Sequence, residues 1–464
     1  MSQGNVQTKQ YIKMAQTPVP KLILTLSIPS VITMLVNNVY NLVDTAFVGR
    51  LGTSASGAVG IVFGFMAIIQ AFGFMFGQGS GSILSRSLGK GDNDTASVFA
   101  STGVLFSTIF GLLITIIGFL FLDDIVYALG STDTIFPNAK TYIFYILIAA
   151  PFMSSSLTMN NLLRYEGKAA LGMIGMMSGV VLNMALDPIF MFALGMGIAG
   201  AGLSTAISQV VSWIILLLMF LTKKTVSSLS LKRAFKAAPS VVFNIMATGL
   251  PSLIRQGLNS VTTVLLNSRC AIYGDAAVAA MSIVSRIFFF AFSIALGIGQ
   301  GFQPVSAFNY GAKKYARVRE SFRFTTLAGQ FIITVGCVLL CVFSGQLIGI
   351  FRDDPEVIAI GTRALILQAI ASLFMPPCVA TEMLLQTTGK RLAASIISAI
   401  RNGLIFIPVL IILAVFRGLS GIQEAQPLSL ILALPVTIPF AISFFKKLPK
   451  NDEEDSIPSE ETKE

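Results

Sequence analysis

The chain contains no histidine, and that absence excludes more chemistry than any motif it carries. Histidine-ligated haem, histidine phosphotransfer and most zinc sites are removed at once, together with the usual titrating group near neutral pH. Any proton handling must fall to carboxylates, and these too are scarce: 22 Asp and Glu in 464 residues. Charged residues of both signs make up 12%, where a soluble chain carries roughly 25%. The four cysteines (Cys270, Cys337, Cys341, Cys378) lie in apolar runs and offer no metal-ligand spacing. Cys337 and Cys341 stand one helical turn apart, as a face-packed pair of thiols. No Walker motif is present, because the run Gly77-Gln78-Gly79-Ser80-Gly81 has apolar flanks and no following lysine, so ATP is not the energy source. The net charge of +10 is spread over short loops without an interleaved aromatic stripe, so no nucleic-acid partner is expected.

What the chain has in abundance is apolar sequence: 54% hydrophobic residues and a mean hydropathy of +0.79. Runs of bilayer length, about 20 residues each, recur from Leu22 to Phe445. They fit an all-α integral membrane protein with twelve spans at 22–48, 54–84, 97–122, 138–163, 169–193, 198–222, 240–268, 276–308, 323–350, 357–386, 392–416 and 424–445. The first run is too long for a signal-peptide core and is expected to stay in the mature protein. Lys and Arg concentrate in the N-terminal segment and in alternate loops, so both termini are expected on the cytoplasmic side of the membrane. Seven of the 22 acids fall between Asp452 and Glu464, a polar tail.

The chain also repeats itself at an offset of 222 residues. Pro29-Ser30 returns as Pro251-Ser252, Asn37 as Asn259, Gly77-Gln78-Gly79 as Gly299-Gln300-Gly301, and Gly167-Lys168 as Gly389-Lys390. Between Pro29 and Gly89 there are 14 identities in 61 ungapped columns. Six spans per half, an even number, make the halves parallel and relate them by a pseudo-two-fold axis along the membrane normal. The expected organisation is an N-lobe (1–222), a charged cytoplasmic linker (223–239) with amphipathic spacing, a C-lobe (240–448) and a disordered acidic tail (449–464). The paired Gly-Gln-Gly strings permit close helix approach or bending.

Asp44 and Asp187 each sit well inside an apolar run, at similar depth in the outer half of the first and fifth spans. Ionised groups there are costly unless paired or hydrated. Asn37, Tyr40, Asn41 and Asp44 form one polar stripe, Asn183 lies a turn before Asp187, and Thr205 of the sixth span reaches comparable depth. Such oxygen ligands suit Na⁺, with Asp44, Asp187 and Asn183 as the ligand set, and buried carboxylates equally carry H⁺. The competing reading is a structural hydrogen-bond cluster locking the three spans. At the 222-residue offset the acids become Leu266 and Val409, so a cation site belongs to the N-lobe. In the C-lobe, Glu382 reads as snorkelling to the interface and Glu424 as complementing a helix dipole. Arg255, Arg286 and Arg401 face either a vestibule or helix-end carbonyls. Arg255, Gln256 and Asn259, with Met34 and Met177 as soft apolar contacts, are the candidate substrate-cavity residues.

The strings Asn41-Leu-Val-Asp44-Thr-Ala-Phe-Val-Gly49-Arg-Leu-Gly52, Arg164-Tyr-Glu-Gly167, Asn183-Met-Ala-Leu-Asp187-Pro188 and Gly200-Ala-Gly-Leu-Ser-Thr205 resemble the bacterial MATE multidrug exporters, nearest the MepA-like branch. The resemblance spans about Lys21 to Lys447. It implies a V-shaped pair of six-helix bundles, alternating access, and export of bulky, often cationic drugs in exchange for Na⁺ or H⁺, without a cofactor. It carries the family's acidic positions onto Asp44 and Asp187, with Asn183 and Thr205 beside them. Some members also use acids in the second half, which this chain lacks in its seventh span. A flippase for lipid-linked saccharides and an integral-membrane enzyme are the alternatives. The functional unit is expected to be a monomer in contact with membrane lipid.

Overall fold

The structure is a computed structural model that describes residues 3–222 and 224–452, and all the regular structure among them is helical. Apolar spans become helices because a segment in hydrocarbon must satisfy its own backbone. In chain order the helices are α1 (Gln3–Gln16), α2 (Val19–Gly49), α3 (Thr53–Gly89), α4 (Asn93–Leu120), α5 (Leu122–Ala128), α6 (Phe136–Tyr165), α7 (Ala169–Pro188), α8 (Ile198–Leu221) and α9 (Leu231–Phe235). The second half follows with α10 (Pro239–Ala271), α11 (Asp275–Gly311), α12 (Tyr315–Val342), α13 (Ser344–Phe351), α14 (Pro355–Ser372), α15 (Met375–Thr387), α16 (Arg391–Ala399) and α17 (Phe406–Lys447).

Ten helical runs among the described residues are long and apolar enough to cross a membrane. One of them, Arg391–Lys447, contains Gly418 at φ +60°, which divides it into two crossings. Polar α10 supplies the twelfth. The protein is therefore an all-α membrane protein of two six-helix bundles. The repeat is visible in the helix bounds: α3 and α11, and likewise α4 and α12, start and stop 222 residues apart. Gly91, at φ +78°, has Lys313 as its repeat partner at φ +59°, so a lysine holds a turn that glycine adopts freely.

Several boundaries differ from the sequence reading. The polar N-terminus is a helix, α1, held by packing that its own sequence does not advertise. The expected span 357–386 is interrupted between α14 and α15, where Pro376-Pro377 cannot continue the hydrogen-bond ladder. Short helices α5 and α13 occupy segments expected to be loop or span end. Of the expected acidic tail, residues 453–464 lie outside the described residues, while Asp452 accepts a hydrogen bond from the Ala316 amide at 2.8 Å.

Among the described residues, the bundles share a core at the end that carries α1, the linker and the last turns of α17. There one buried core mixes residues of both bundles, from Met14 and Leu22 to Phe302 and Phe308. At the opposite, far end each bundle keeps its own core, around Ile143 in the first and Val284 in the second. Glycine makes the shared seam. A Cβ on Gly249 would strike the Met75 carbonyl and one on Gly79 that of Ile245, so α3 and α10 cross backbone to backbone. The symmetry-related crossing places Gly301 and Gly297 against Ser27 and Val31 of α2. On the axis, Gly89 faces the Phe308 carbonyl and Gly311 that of Arg86. The Gly-Gln-Gly strings thus serve close approach, and α3 and α11 run through them unbroken.

Buried polar groups stitch the same seam. Gln78 accepts from Ser252 at 2.8 Å and from Gln303 at 3.4 Å, and Arg164 donates to Gln303 at 3.3 Å. Helix α1 then straps the two bundles: Gln10 donates to the Glu166 carbonyl at 2.6 Å, Tyr11 meets Phe308 edge-on at 5.3 Å, and Arg317 donates to the Thr17 carbonyl at 2.6 Å.

The glycine seam makes a testable contrast within α10. Gly249→Ala should lower the melting temperature in detergent, because the neighbouring atoms are backbone and cannot yield. Gly257→Ala, with open space around it, should leave it unchanged or raise it, since alanine favours a helix interior by about 1 kcal/mol.

Candidate functional site: a buried carboxylate pair

The first bundle buries two aspartates without a counter-cation. Asp44, five residues from the far end of α2, is 2% exposed, and Asp187, near the far end of α7, is 1% exposed. Tyr40 lies one turn before Asp44, and Asn183 one turn before Asp187. Thr205 arrives from α8, seven residues or about 10 Å in from its far end. Equal depth on three helices brings these five side chains to one place.

The hydrogen bonds are specific. With the amide oriented as the network requires, Asn183 donates to Asp187 Oδ2 at 3.1 Å and to the Tyr40 hydroxyl at 2.8 Å, and accepts from the Thr205 amide at 3.1 Å. Ser204 donates to Asp187 Oδ1. Tyr40 and Tyr142 of α6 both lie against Thr205. Asp44 Oδ2 is buried with no hydrogen-bond partner, and Asp44 lies within electrostatic reach of Asp187. Neither acid forms an ion pair among the described residues. Two buried carboxylates within electrostatic reach of each other and without an ion-pair partner are costly to keep ionised, and a proton or a small cation would relieve that cost. The polar atoms around the acids are the Tyr40 and Ser204 hydroxyls and the Asn183 amide nitrogen. In this arrangement the Asn183 oxygen faces the Thr205 backbone, so the amide serves the acids as a donor.

Tyr40, Asp44, Asn183, Asp187 and Thr205 are brought together as the spacing predicts, while Asn37 and Asn41 are not. Asn37 is half-buried two turns nearer the terminal end, and Asn41 is exposed on another face of α2. Sequence reasoning missed Ser204 and Tyr142. Ser204 stood in the quoted Gly200–Thr205 string, but Tyr142 left no signal beyond its depth in α6. The chain leaves regular α geometry for one wide turn at Ile189–Ala193, immediately after Asp187-Pro188. Such π turns gather at functional positions.

The second bundle handles buried charge differently. Glu382 is 0% exposed and bonds Arg401 at 2.7 and 3.0 Å and Arg255 at 3.2 Å. It does not snorkel to the interface: two guanidinium groups hold it in the core. Arg255 is thereby committed to an ion pair rather than free in a cavity. A second π turn, Ile400–Leu404, presents Arg401. Glu424 is likewise paired, with Arg363 at 3.1 Å and with Arg417. Gln256 is half-buried and Asn259 exposed on α10, Met177 is half-buried on α7, and Met34 meets Gln300 Nε2 at 3.9 Å across the seam. Arg286 is exposed on the α11 face that carries Phe289 and Phe290.

Twelve spans in two repeated bundles, with paired acids buried in one of them, define a membrane transporter and not an enzyme. The MatE family model matches residues 29–189 and 251–412, the two halves of the repeat, and the chain belongs to that family. It is 28% identical over 425 residues to the multidrug export protein MepA of Staphylococcus haemolyticus, covering 90% of this chain and 92% of that protein. It is 30% identical over 404 residues to MepA of Staphylococcus saprophyticus, covering 85% and 87%. Among solved structures, MATE in complex with MaL6 superimposes with a TM-score of 0.90 at 25% identity, covering 96% of this chain and 100% of that one. An outward-facing multidrug resistance MATE family transporter of the MOP superfamily gives 0.89 at 25% identity, with 95% and 99% covered.

The two charge clusters should respond oppositely to neutralisation. Asp44→Asn should leave thermal stability unchanged or raised, because it removes a buried charge that lacks a partner. Glu382→Gln should cost roughly 3–5 kcal/mol by stranding two arginines. If Asp44→Asn lost as much as Glu382→Gln in denaturation of the purified protein, Asp44 would be part of a structural lock.

Proposed function

We propose that this protein is a secondary-active exporter of bulky organic cations and other drugs, driven by inward exchange of Na⁺ or H⁺ through alternating access. The single observation that carries this reading is the Asp44–Asp187 pair, buried without a basic partner. The names of the MepA relatives support the drug substrates. The chain would divide at the linker, residues 223–239, into lobes 1–222 and 240–448. The excess of Lys and Arg at the terminal end supports both termini lying in the cytoplasm, in a bacterial cytoplasmic membrane. The acid cluster is complete within one chain, which supports a monomer.

In this reading the shared core at the terminal end closes the cytoplasmic side, and the separate far-end cores leave the outer side open. A cation arriving from outside neutralises Asp44 and Asp187, and α2 repacks in favour of outward drug release. Drug entering from inside favours loss of the cation, since two ligands that prefer different states oppose each other's binding by the same factor. A lipid-linked-saccharide flippase needs a strongly cationic cavity, and Glu382 neutralises much of the second bundle's buried positive charge.

Ethidium efflux from energised cells tests this, with wild type beside Asp44→Asn at matched abundance. Efflux should fall at least about tenfold in the variant, the order expected when a coupling group is lost. Dependence on Na⁺ would make the site a sodium site, and collapse by a protonophore alone would make it a proton site. Normal efflux by both Asp44→Asn and Asp187→Asn would refute the coupling role.

A further inference from the structure

The linker carries a second feature that transport itself does not use. Lys232, Arg233 and Lys236 line a surface cavity of about 410 Å³ at the terminal end, opposite Val98 of α4, Ala238 at the cap of α10 and Val241 in its first turn. Of the three cations, only Arg233 has an acidic neighbour among the described residues: the exposed Asp94, at 3.4 Å. The N-terminus of the 33-residue α10 opens on the same cavity and adds its positive dipole end.

The frame around these cations is fixed. The Glu166 carboxylate accepts from the Val226 and Ser227 amides at 3.0 Å each and from the Ser227 hydroxyl. Ser97 accepts from the Ser228 amide at 3.2 Å, and Ser101 from the Ser230 amide at 3.0 Å. The linker therefore holds its basic residues in place against α4 and α6.

The surroundings of the cavity are apolar. Leu231 and Phe235, one turn apart on α9, are 68% and 73% exposed. From the cavity, α10 continues with an exposed stripe of Phe243, Met246 and Leu250. A soluble phosphate would have no use for that stripe, but an acyl chain would.

We propose that this cavity is a binding site for an anionic phospholipid, with the phosphate held by Lys232 and Lys236 at the α10 N-terminus and an acyl chain along Phe243, Met246 and Leu250. The bound lipid bridges the two bundles, because α4 and the docked linker belong with the first and α10 to the second. Its assignment to the inner leaflet rests on the orientation proposed above; the binding chemistry does not.

The test is native mass spectrometry of the full-length, delipidated transporter titrated with phosphatidylglycerol or phosphatidylcholine. Wild type should retain phosphatidylglycerol in preference to phosphatidylcholine. Lys232→Ala/Lys236→Ala should bind it about tenfold more weakly, the order expected for two cations at an anionic headgroup. Lys232→Arg/Lys236→Arg should keep it, which guards against a folding artefact. Equal retention by the alanine double variant and wild type overturns the proposal. So does an equal loss in Lys446→Ala/Lys447→Ala, which would make the effect a general response to basic charge at that end. The measurement involves no transport, so a failed efflux assay and a failed lipid site remain separate results.

Discussion

Charge inside an apolar interior must be compensated, and each bundle meets that requirement in its own way. The second bundle pairs its buried carboxylate: Glu382 is held by Arg255 and Arg401 through three hydrogen bonds, with one guanidinium charge in excess. The first bundle gives Asp187 an amide and a hydroxyl, leaves Asp44 Oδ2 without a partner, and pairs neither acid with a cation among the described residues. Polar neighbours of that kind lower the cost of a carboxylate without cancelling its charge. Under the exchange function proposed above, the paired Glu382 belongs to the scaffold, and the unpaired Asp44 and Asp187 are where a proton or Na⁺ would be taken up.

Duplication explains how one fold holds both. The halves share helix bounds, turn geometry and the glycine crossings, because these follow from backbone packing, and packing is indifferent to which half carries an acid. Gly79 with Ile245 and Gly301 with Ile23 are the same crossing seen twice. Where the repeat lacks a glycine, as at Lys313, the turn keeps its left-handed φ. The conserved geometry is thus set by the seam, and the side chains at bundle depth were free to diverge toward acid in one half and arginine in the other.

Much of this was legible in the sequence, for identifiable reasons. Hydrophobic length gave the spans, and the offset of 222 gave the two bundles, because bilayer thickness and backbone satisfaction leave few alternatives. Tyr40, Asp44, Asn183, Asp187 and Thr205 were readable because helical spacing and equal depth are one-dimensional quantities. The triad was not. Glu382, Arg255 and Arg401 come from three helices whose mutual rotation no linear pattern encodes, and the wide π turn that presents Arg401 has no composition signal. Helix α1 escaped for a related reason: its helicity depends on contacts with Glu166, Phe308 and Arg317, all far along the chain. Pro376-Pro377, by contrast, was a visible interruption whose consequence for the tenth span was underweighted.

Helix α2 links the site to the seam. Its terminal half carries the α11 crossing through Ser27 and Val31, and past its midpoint Asn38 bonds Ser293 at 2.9 Å. Its far half carries Tyr40 and Asp44. Asn38 and Asp44 are six residues apart, about 9 Å along one rigid helix. Under the proposed function, a change in the charge borne at Asp44 would alter which neighbours α2 prefers, and the same helix forms part of the seam between the bundles. The other seam helix on the first bundle, α3, contributes no member to the acid cluster. Under the exchange function proposed above, α2 is the short physical route by which a cation taken up at Asp44 would reach the seam with α11.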